Sequence, residues 1–135
     1  MNGVLVDAGA LITILDVSDA SHVAAVETLK TIRDPLFTVW PALTEAIHLL
    51  GGTRRGQESL CEMVEDGGLT LLPLDREDMG RLKELMRRYG DLPMDFADAA
   101  LVRVAERDGL KRILSFDSHF RVYRLPRRGS FSVLP

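Results

Sequence analysis

The fold is decided by residues 94–115, which read MDFADAALVRVAERDGLKRILS. Small and branched apolar residues recur there at helical spacing: Ala97, Ala100, Leu101, Val104 and Ala105. Because these residues share one face of an α-helix, the pattern predicts an amphipathic helix over residues 94–108. Gly109 ends that helix, and residues 112–115 follow as a short apolar strand. A helix joined to a strand by so short a loop is typical of an α/β protein.

Strand-like and helix-like segments alternate along the whole chain. The predicted strands cover residues 4–6, 36–39, 69–72, 112–115 and 131–134. The predicted helices cover residues 19–33, 41–51, 57–65, 75–88 and 94–108. Strands separated by helices form a mainly parallel sheet with helices on both faces. We therefore expect an α/β fold around a central, mainly parallel five-stranded sheet, with residues 1–135 as a single domain.

The composition excludes several classes of protein. A chain of 135 residues with 46% hydrophobic and 27% charged residues has the mix of a globular domain that buries its own core. It lacks the basic start and long apolar stretch of a signal peptide, and no segment is long enough to cross a membrane. The sole cysteine, Cys61, excludes an internal disulfide and a cysteine-rich zinc site, and we predict that it is a small core residue on a helix. These features favour a cytoplasmic location.

Charge is distributed unevenly along the chain. The formal net charge is −3, which does not indicate a nucleic-acid-binding surface over the whole molecule. Residues 111–135, however, contain six basic residues against the single acid Asp117. A basic tail beside an acidic body fits a phosphate-bearing partner. Solubilising surface charge explains the same pattern, and on this feature alone it is the favoured interpretation.

Four acidic residues lie where predicted strands end or helices begin. Asp7 follows the first strand, Glu45 lies early in the helix after the second, Asp98 begins the helix before the fourth, and Asp117 follows the fourth. In a parallel sheet these positions share one edge, and ligands bind in the crevice there. We therefore expect the four carboxylates to converge. Asp95 precedes Asp98 by three residues, which puts both on one helix face.

Converging carboxylates repel one another unless a cation lies between them. Hard oxygen ligands suit Mg²⁺ or Mn²⁺ rather than zinc. Such an ion activates water and neutralises charge on a phosphodiester. The sequence contains no Gly-x-Ser-x-Gly elbow, no phosphate-binding Gly-Lys-Ser/Thr loop and no zinc-helix histidine pair. Metal-assisted hydrolysis is therefore the chemistry that these acids favour.

Some of the acids also have a purely structural interpretation. Asp95 is equally well explained as a helix N-cap, with Asp98 completing a weak capping box. Asp117 is in position to start a turn over residues 118–120. Asp75 follows a strand as well, yet it is best interpreted as an N-cap with Asp78 beside it.

Glu45 is harder to explain structurally. Its helix is otherwise almost wholly apolar, and acids are seldom buried in such a setting without a partner. The three histidines, His22, His48 and His119, are interpreted as surface or hydrogen-bonded residues rather than ligands.

Four short blocks of sequence together resemble the signatures of PIN-domain proteins, and most closely those of the VapC-like toxin ribonucleases. The blocks are VLVD (4–7, with LI at 11–12), LTEA (43–46), LPMDFADA (92–99) and ILSFDSHF (113–120). They occur in the family's order and cover nearly the whole chain. The resemblance implies a three-layer α/β/α sandwich with five parallel strands, and RNA as the substrate. It also implies an antitoxin protein as a partner, and a homodimer.

The resemblance assigns roles to individual residues. The metal-site acids that it implies are Asp7, Glu45, Asp98 and Asp117, with Asp95 as an additional acid. Ser115 matches the position where the family usually carries Ser or Thr before the last acid.

The chain departs from the family directly after Asp7. The family often has Thr or Ser and then Asn or Ser at these positions, where this chain has Ala8 and Gly9. A hydroxyl that would order Asp7 or a metal-bound water is therefore missing. Losses of this kind weaken metal affinity or activity without abolishing it. Gly9, in turn, leaves room for the backbone of a substrate to approach.

These observations predict a metal-dependent endoribonuclease. In this hypothesis Asp7, Asp98 and Asp117 hold one Mg²⁺ or Mn²⁺, and Glu45 completes a second metal position or orients the attacking water. The basic residues that would hold RNA phosphates are Arg121, Arg124, Arg127 and Arg128.

Two alternatives belong to other functional classes. A non-catalytic PIN scaffold would keep the fold and bind RNA or a protein partner without cleaving anything. A phosphoacceptor signalling domain also clusters acids at the ends of parallel strands, but it normally needs a lysine near the site. Lys111 begins the fourth predicted strand, at the wrong end, which counts against that alternative.

Overall fold

The centre of the molecule is a five-stranded sheet in which every strand runs parallel to its neighbours. A computed structural model describes residues 1–126 and 129–135. The strands are β1 (Val4–Val6), β2 (Leu36–Thr38), β3 (Thr70–Leu71), β4 (Arg112–Leu114), β5 (Arg124–Leu125), β6 (Gly129–Ser130) and β7 (Ser132–Leu134). The sheet has the order β3-β2-β1-β4-β7, and β5 and β6 form a separate antiparallel pair. The predicted parallel five-stranded sheet is therefore confirmed, and the β5–β6 pair is an addition to it.

Helices cover the sheet. Those within the described residues are α1 (Ala8–Leu15), α2 (His22–Thr31), α3 (Trp40–Leu49), α4 (Arg54–Glu65), α5 (Met79–Arg88) and α6 (Phe96–Asp108), with short 3₁₀ turns at Arg76–Asp78 and Ser118–Arg121. α1 packs against α2, α3 and α4, while α6 packs against α3 and α5. The result is the predicted three-layer α/β/α sandwich. None of the helices in the described part of the chain is long and apolar enough to cross a membrane.

Residues at the two ends of α6 determine where the helix begins and ends. Asp95 caps the amino end, where its carboxylate accepts a hydrogen bond from the Asp98 N–H at 2.8 Å. Gly109 closes the carboxyl end with a φ of 72°, in the left-handed region that glycine adopts without strain. The predicted apolar stripe is buried, and Leu101 and Val104 are wholly inaccessible to solvent. Burial of one such leucine stabilises the fold by about 1.5–3 kcal/mol, so the helix gives Asp98 a rigid support.

α1 is the element that the sequence prediction missed. Its sequence, AGALITIL, carries apolar residues on every face, so no amphipathic periodicity marks it as a helix. Asp7 is its N-cap and accepts a hydrogen bond from the Ala10 N–H at 2.8 Å. The chain therefore passes from β1 into α1 at Asp7 itself, which holds this carboxylate at the carboxyl edge of the sheet.

Two predictions about residues 54–65 were wrong. α4 begins at Arg54 rather than at residue 57, and Cys61, which was predicted to lie in the core, is exposed. The buried face of α4 is formed by Gly56 and Leu60, which are one helical turn apart. Cys61 follows Leu60 and is therefore rotated about 100° away from that face.

The interpretation of Asp75 and Asp78 as cap residues is confirmed. The two form a reciprocal capping box at the 3₁₀ turn that precedes α5. Asp78 is also buried and accepts hydrogen bonds from Arg103 at 2.8 Å and Arg107 at 3.1 Å. These ion pairs tie the start of α5 to α6.

Candidate metal centre at the carboxyl edge of the sheet

A cleft of about 480 Å³ opens at the carboxyl edge of the sheet. The acids that line it are Asp7, Asp19, Glu45, Asp95, Asp98 and Asp117. All five acids that the sequence analysis singled out for the metal site therefore meet in one place. Asp19 was not among them; it stands just before α2 and adds a further carboxylate to the rim.

Asp7 is the most deeply buried of these acids, with 5% of its surface exposed. Its Oδ2 accepts a hydrogen bond from the Ser115 hydroxyl at 2.5 Å, and its Oδ1 accepts one from the Ala10 N–H. Burial raises the pKa of Asp7 to about 6, although both hydrogen bonds favour the charged form. The nearby charges of Asp117 and Glu45 contribute to this rise.

Asp98 lies in the first turn of α6 and faces the cleft rather than its own helix. Its Oδ2 accepts a hydrogen bond from the Tyr123 hydroxyl at 2.9 Å. The capping box considered for Asp95 and Asp98 is not formed, since Asp95 alone supplies the cap. Burial, followed by the charge of Asp95, raises the pKa of Asp98 to about 7. A nearby cation would therefore stabilise the charged form of the Asp98 carboxylate.

Asp95 and Glu45 complete the acidic lining on the side of α3. The N-cap interpretation of Asp95 is confirmed, yet the same residue lines the cleft. Glu45 is partly buried, and its pKa is raised by burial and then by the charge of Asp95. The capping role and the position beside other acids are therefore compatible at Asp95.

Asp117 also combines a local and a shared role. Its Oδ1 accepts a hydrogen bond from the His119 N–H at 2.8 Å, which starts the 3₁₀ turn as the sequence suggested. Its own N–H donates to the Ser115 hydroxyl at 3.0 Å. Because the same hydroxyl donates to Asp7, Ser115 connects two acids of the cleft through one oxygen atom.

Tyr123 was missed in the sequence, and His119 was interpreted there as a surface or hydrogen-bonded residue rather than a ligand. Tyr123 is wholly buried and holds Asp98 through its hydroxyl. His119 lines the cleft, and one ligand atom from each of Asp98, Asp117 and His119 lies within 4.8 Å of the others. The spacing Asp-x-His from residue 117 was available as a signal for His119, whereas no periodicity connects Tyr123 with Asp98, 25 residues away.

Two of the arginines predicted to bind RNA, Arg121 and Arg124, lie outside the cleft lining. Arg121 is exposed, and Arg124 is exposed with its Nη1 donating to the carbonyl oxygens of Arg121, Val122 and Tyr123. Arg127 and Arg128 fall outside the described residues.

Ala8 and Gly9 line the cleft beside Asp7, so the departure from the PIN pattern lies within the site itself. Gly9 is exposed, and a Cβ added there would meet only Asp7 Oδ1, at 3.8 Å.

Lys111 precedes β4 and lies at the amino edge of the sheet, as the sequence suggested. No lysine is found among the cleft residues of the described chain, which disfavours a phosphoacceptor domain.

The donor set fits a hard divalent cation. Most of its members are carboxylates, which are the oxygen ligands that Mg²⁺ and Mn²⁺ take in proteins, and His119 adds one imidazole. The pKa values of Asp7, Glu45 and Asp98 are all raised, so a positive charge among them would relieve both repulsion and desolvation.

Comparison with known proteins agrees with this geometry. The model of the PIN domain family matches residues 4–125. Ribonuclease VapC26 of Mycobacterium tuberculosis is 27% identical over 135 residues, which cover 97% of this chain and 99% of the relative. The crystal structure of M. tuberculosis VapC20, described as a sarcin–ricin loop cleaving toxin, superposes with a TM-score of 0.83 at 18% identity. That superposition covers 98% of this chain and 99% of the other. The chain belongs to the PIN domain family.

Proposed function

We propose that this protein is a metal-dependent endoribonuclease. One observation supports it above all others: carboxylates from four separate parts of the chain, Asp7, Glu45, Asp98 and Asp117, line the same cleft. Burial, followed by the charges of neighbouring acids, raises the pKa values of Asp7, Glu45 and Asp98 and costs stability, which is expected where a bound cation compensates. The similar protein VapC26 is named a ribonuclease, and VapC20 is described as a sarcin–ricin loop cleaving toxin.

In this proposal Asp7, Asp98 and Asp117 hold one Mg²⁺ or Mn²⁺, with Asp95 as an additional acid. When bound, the ion would supply charge neutralisation at the phosphodiester and a lowered pKa for water. The Ser115 hydroxyl donates a hydrogen bond to Asp7 and accepts one from the Asp117 N–H, which fixes the two residues relative to each other. The Tyr123 hydroxyl donates a hydrogen bond to Asp98. Neighbours that orient ligands in this way tune metal affinity.

Glu45 either completes a second metal position or accepts a proton from the attacking water. It is partly buried on α3, which follows β2, whereas residues 115–117 follow β4, and β1 lies between these two strands in the sheet. Its raised pKa brings the carboxylate closer to the neutral range, where proton transfer is efficient.

The substrate in this proposal is RNA, held by phosphate contacts from the basic region that begins at Arg121, the last residue of the 3₁₀ turn. Arg121 and Arg124 are exposed there, and Arg127 and Arg128 follow in sequence. Contacts of this kind position the strand without reading its bases.

We further propose that the protein acts as the toxin of a toxin–antitoxin pair in the cytoplasm, with an antitoxin protein as its partner. The relatives support this, since one of them is described as a toxin. Expression of the chain alone should arrest growth, and coexpression with the product of a neighbouring gene should restore it. Growth that is unaffected by the chain alone would contradict the toxin role and leave the nuclease proposal standing.

A homodimer is also proposed, with contact through an apolar surface that lies beside the cleft. Trp40, Met79 and Phe96 line one groove there and are 60%, 52% and 40% exposed. Exposed apolar groups that cluster in this way mark interaction sites. Sedimentation should show a dimer for the wild type and a monomer for Trp40→Glu. A wild-type monomer at all concentrations would contradict the homodimer.

The non-catalytic scaffold remains the second candidate. It is favoured by one observation, the replacement of two polar residues by Ala8 and Gly9 within the cleft. It predicts metal binding without cleavage, even at stoichiometric protein.

Cleavage of labelled RNA in the presence of Mg²⁺ or Mn²⁺ tests the nuclease. EDTA should stop it, and Asp7→Asn and Asp98→Asn should each nearly abolish it, because an amide lacks the charge that holds a hard cation. Asp66→Asn is the matched control, since Asp66 is exposed at the end of α4 and away from the cleft. Full activity of both site variants with the metal removed would show that cleavage uses other chemistry.

A further inference from the structure

We propose that His119 supplies a nitrogen ligand to the cation held by Asp98 and Asp117, and that it gives the site a preference for Mn²⁺ over Mg²⁺. This inference rests on the proposed metal-dependent function and goes beyond it, because it concerns which ion the chain selects.

The local backbone brings the imidazole to the acids. The Asp117 carboxylate accepts a hydrogen bond from the His119 N–H at 2.8 Å, which closes the turn between the two residues. The His119 ring then lies beside the same carboxylate, with Nδ1 3.4 Å from Asp117 Oδ1. On its other side, the ring lies 6.4 Å from the ring of Tyr123, the residue that holds Asp98.

The donor atoms are close enough to share one ion. One atom from each of Asp98, Asp117 and His119 lies within 4.8 Å of the other two. Ligands on opposite sides of a Mg²⁺- or Mn²⁺-sized ion are about 4 Å apart, since each lies about 2.1 Å from it. Neighbouring ligands of such an ion are about 3 Å apart, so a side-chain shift of about 1 Å would bring all three atoms into contact with it. The His119 side chain is 34% exposed, so it has the freedom to make that shift.

The chemistry of the ligand determines the preference. Mg²⁺ keeps oxygen ligands and water, and it gains little from an imidazole. Mn²⁺ accepts carboxylates equally well and, as the first member of the divalent transition series, binds an imidazole nitrogen more strongly than Mg²⁺ does, although less strongly than the later members. A cleft of carboxylates alone would hold both ions, whereas one imidazole in addition favours Mn²⁺.

The test measures the bound ion rather than cleavage. Pulsed electron paramagnetic resonance of the Mn²⁺-loaded protein should detect ¹⁴N coupling from a bound imidazole, and His119→Gln should remove it. Calorimetric titration should show Mn²⁺ affinity falling about tenfold or more in His119→Gln, while Mg²⁺ affinity stays within about twofold. His48→Gln is the matched control, because His48 is exposed on α3 and does not line the cleft.

Each other outcome overturns the inference in a recognisable way. Mn²⁺ that binds, and is lost in Asp98→Asn, but shows no ¹⁴N coupling would leave the metal site standing and remove His119 from it. Coupling that persists in His119→Gln and disappears in His48→Gln would assign the nitrogen to another histidine. A wild-type protein that binds neither ion would overturn this inference and the proposed function together.

Discussion

The hydroxyl of Tyr123 lies 2.9 Å from Oδ2 of Asp98 and donates a hydrogen bond to it. Tyr123 is wholly buried, and its ring packs edge-on against Tyr89 and Phe120, with centroids 5.0 and 5.1 Å away. Asp98 lies in the first turn of α6, whereas Tyr123 follows β4 and the 3₁₀ turn after it, so the hydrogen bond joins two separate parts of the chain. The aromatic cluster gives the hydroxyl a fixed position, so the Asp98 carboxylate has a fixed orientation toward the cleft.

Tyr123→Phe should weaken metal binding without disturbing the core. The ring is kept, but the hydrogen bond that favours the charged form of Asp98 is lost, so the pKa of Asp98 should rise above its value of about 7. We expect a loss of about tenfold in Mn²⁺ affinity, as is usual when a group that orients a ligand is removed. Calorimetry and carboxyl NMR titration provide the measurements.

Tyr89→Phe is the control for that experiment. The Tyr89 hydroxyl accepts a hydrogen bond from the Arg124 N–H at 3.1 Å, in the same aromatic cluster as Tyr123. If both variants lose metal affinity equally, the effect comes from the cluster and not from the bond to Asp98.

Ser115→Ala should raise the pKa of Asp7 above about 6 and reduce RNA cleavage by about 10- to 100-fold. The variant removes the donor to Asp7 and the acceptor of the Asp117 N–H in one step. Thr38→Val is a matched control, because the Thr38 hydroxyl is equally buried but donates to the Val6 carbonyl oxygen at 2.7 Å. Both variants should lose stability; a similar loss of cleavage in Thr38→Val would assign the effect of Ser115→Ala to general destabilisation.

The sequence predicted the elements whose residues have one buried and one exposed face. α6 is such a case, since its stripe, its Asp95 cap and the glycine after it all agree. Each sheet strand was likewise found within one residue of its structural bounds. The predicted convergence of Asp7, Glu45, Asp98 and Asp117 followed from their positions after strands and at helix starts, because these positions share one edge of a parallel sheet.

The features that were missed depend on tertiary contacts. α1 packs against α2, α3 and α4, and its residues are therefore mostly apolar. Its sequence shows no amphipathic pattern from which a helix could have been predicted. Cys61 is exposed because only Gly56 and Leu60 of α4 are buried. The width of that buried face depends on how the helix packs and is not visible in its sequence. The bond from Tyr123 to Asp98 joins residues 25 apart and has no local signature.

Gly9→Ala should stabilise the fold and weaken RNA cleavage at the same time. A glycine inside a helix costs about 0.5–1 kcal/mol relative to alanine, and a Cβ at this position in α1 would meet only Asp7 Oδ1, at 3.8 Å. The methyl group would, however, project from an exposed backbone that lines the cleft. We expect a higher Tm, unchanged Mn²⁺ affinity and a raised KM for RNA. An unchanged KM would show that substrate does not approach the Gly9 backbone.

The metal-free protein should be destabilised by its own site at neutral pH. The folded-state pKa values of Asp7 and Asp98 are about 6 and about 7, above the ordinary value of 3.8. The folded chain therefore binds protons more tightly than the unfolded chain, so the free energy of unfolding falls as pH rises from about 4 to about 7. Part of the Asp98 carboxylate reaches solvent, which reduces its share of this effect.

Asp98→Asn should accordingly raise the Tm of the metal-free protein at pH 7. The amide oxygen can still accept the Tyr123 hydrogen bond, while the charge that is repelled by Asp95 is removed. The variant also loses a favourable charge near the start of α6, worth about 0.3–1 kcal/mol, but repulsion and desolvation act together and should exceed it. A net gain of about 1 kcal/mol corresponds to roughly 3–5 °C in Tm for a domain of this size.

Thermal unfolding in EDTA and with millimolar Mn²⁺, at matched ionic strength, provides the measurement. At pH 3 the difference between wild type and Asp98→Asn should disappear, because Asp98 is then protonated in the folded state and largely so in the unfolded state. Mn²⁺ should stabilise the wild type through binding and the variant much less. Asp66→Asn, at the exposed end of α4, controls for the loss of one negative charge. If wild type and Asp98→Asn melt alike in EDTA at pH 7 and gain equally from Mn²⁺, then Asp98 only starts its helix and takes no part in a metal site.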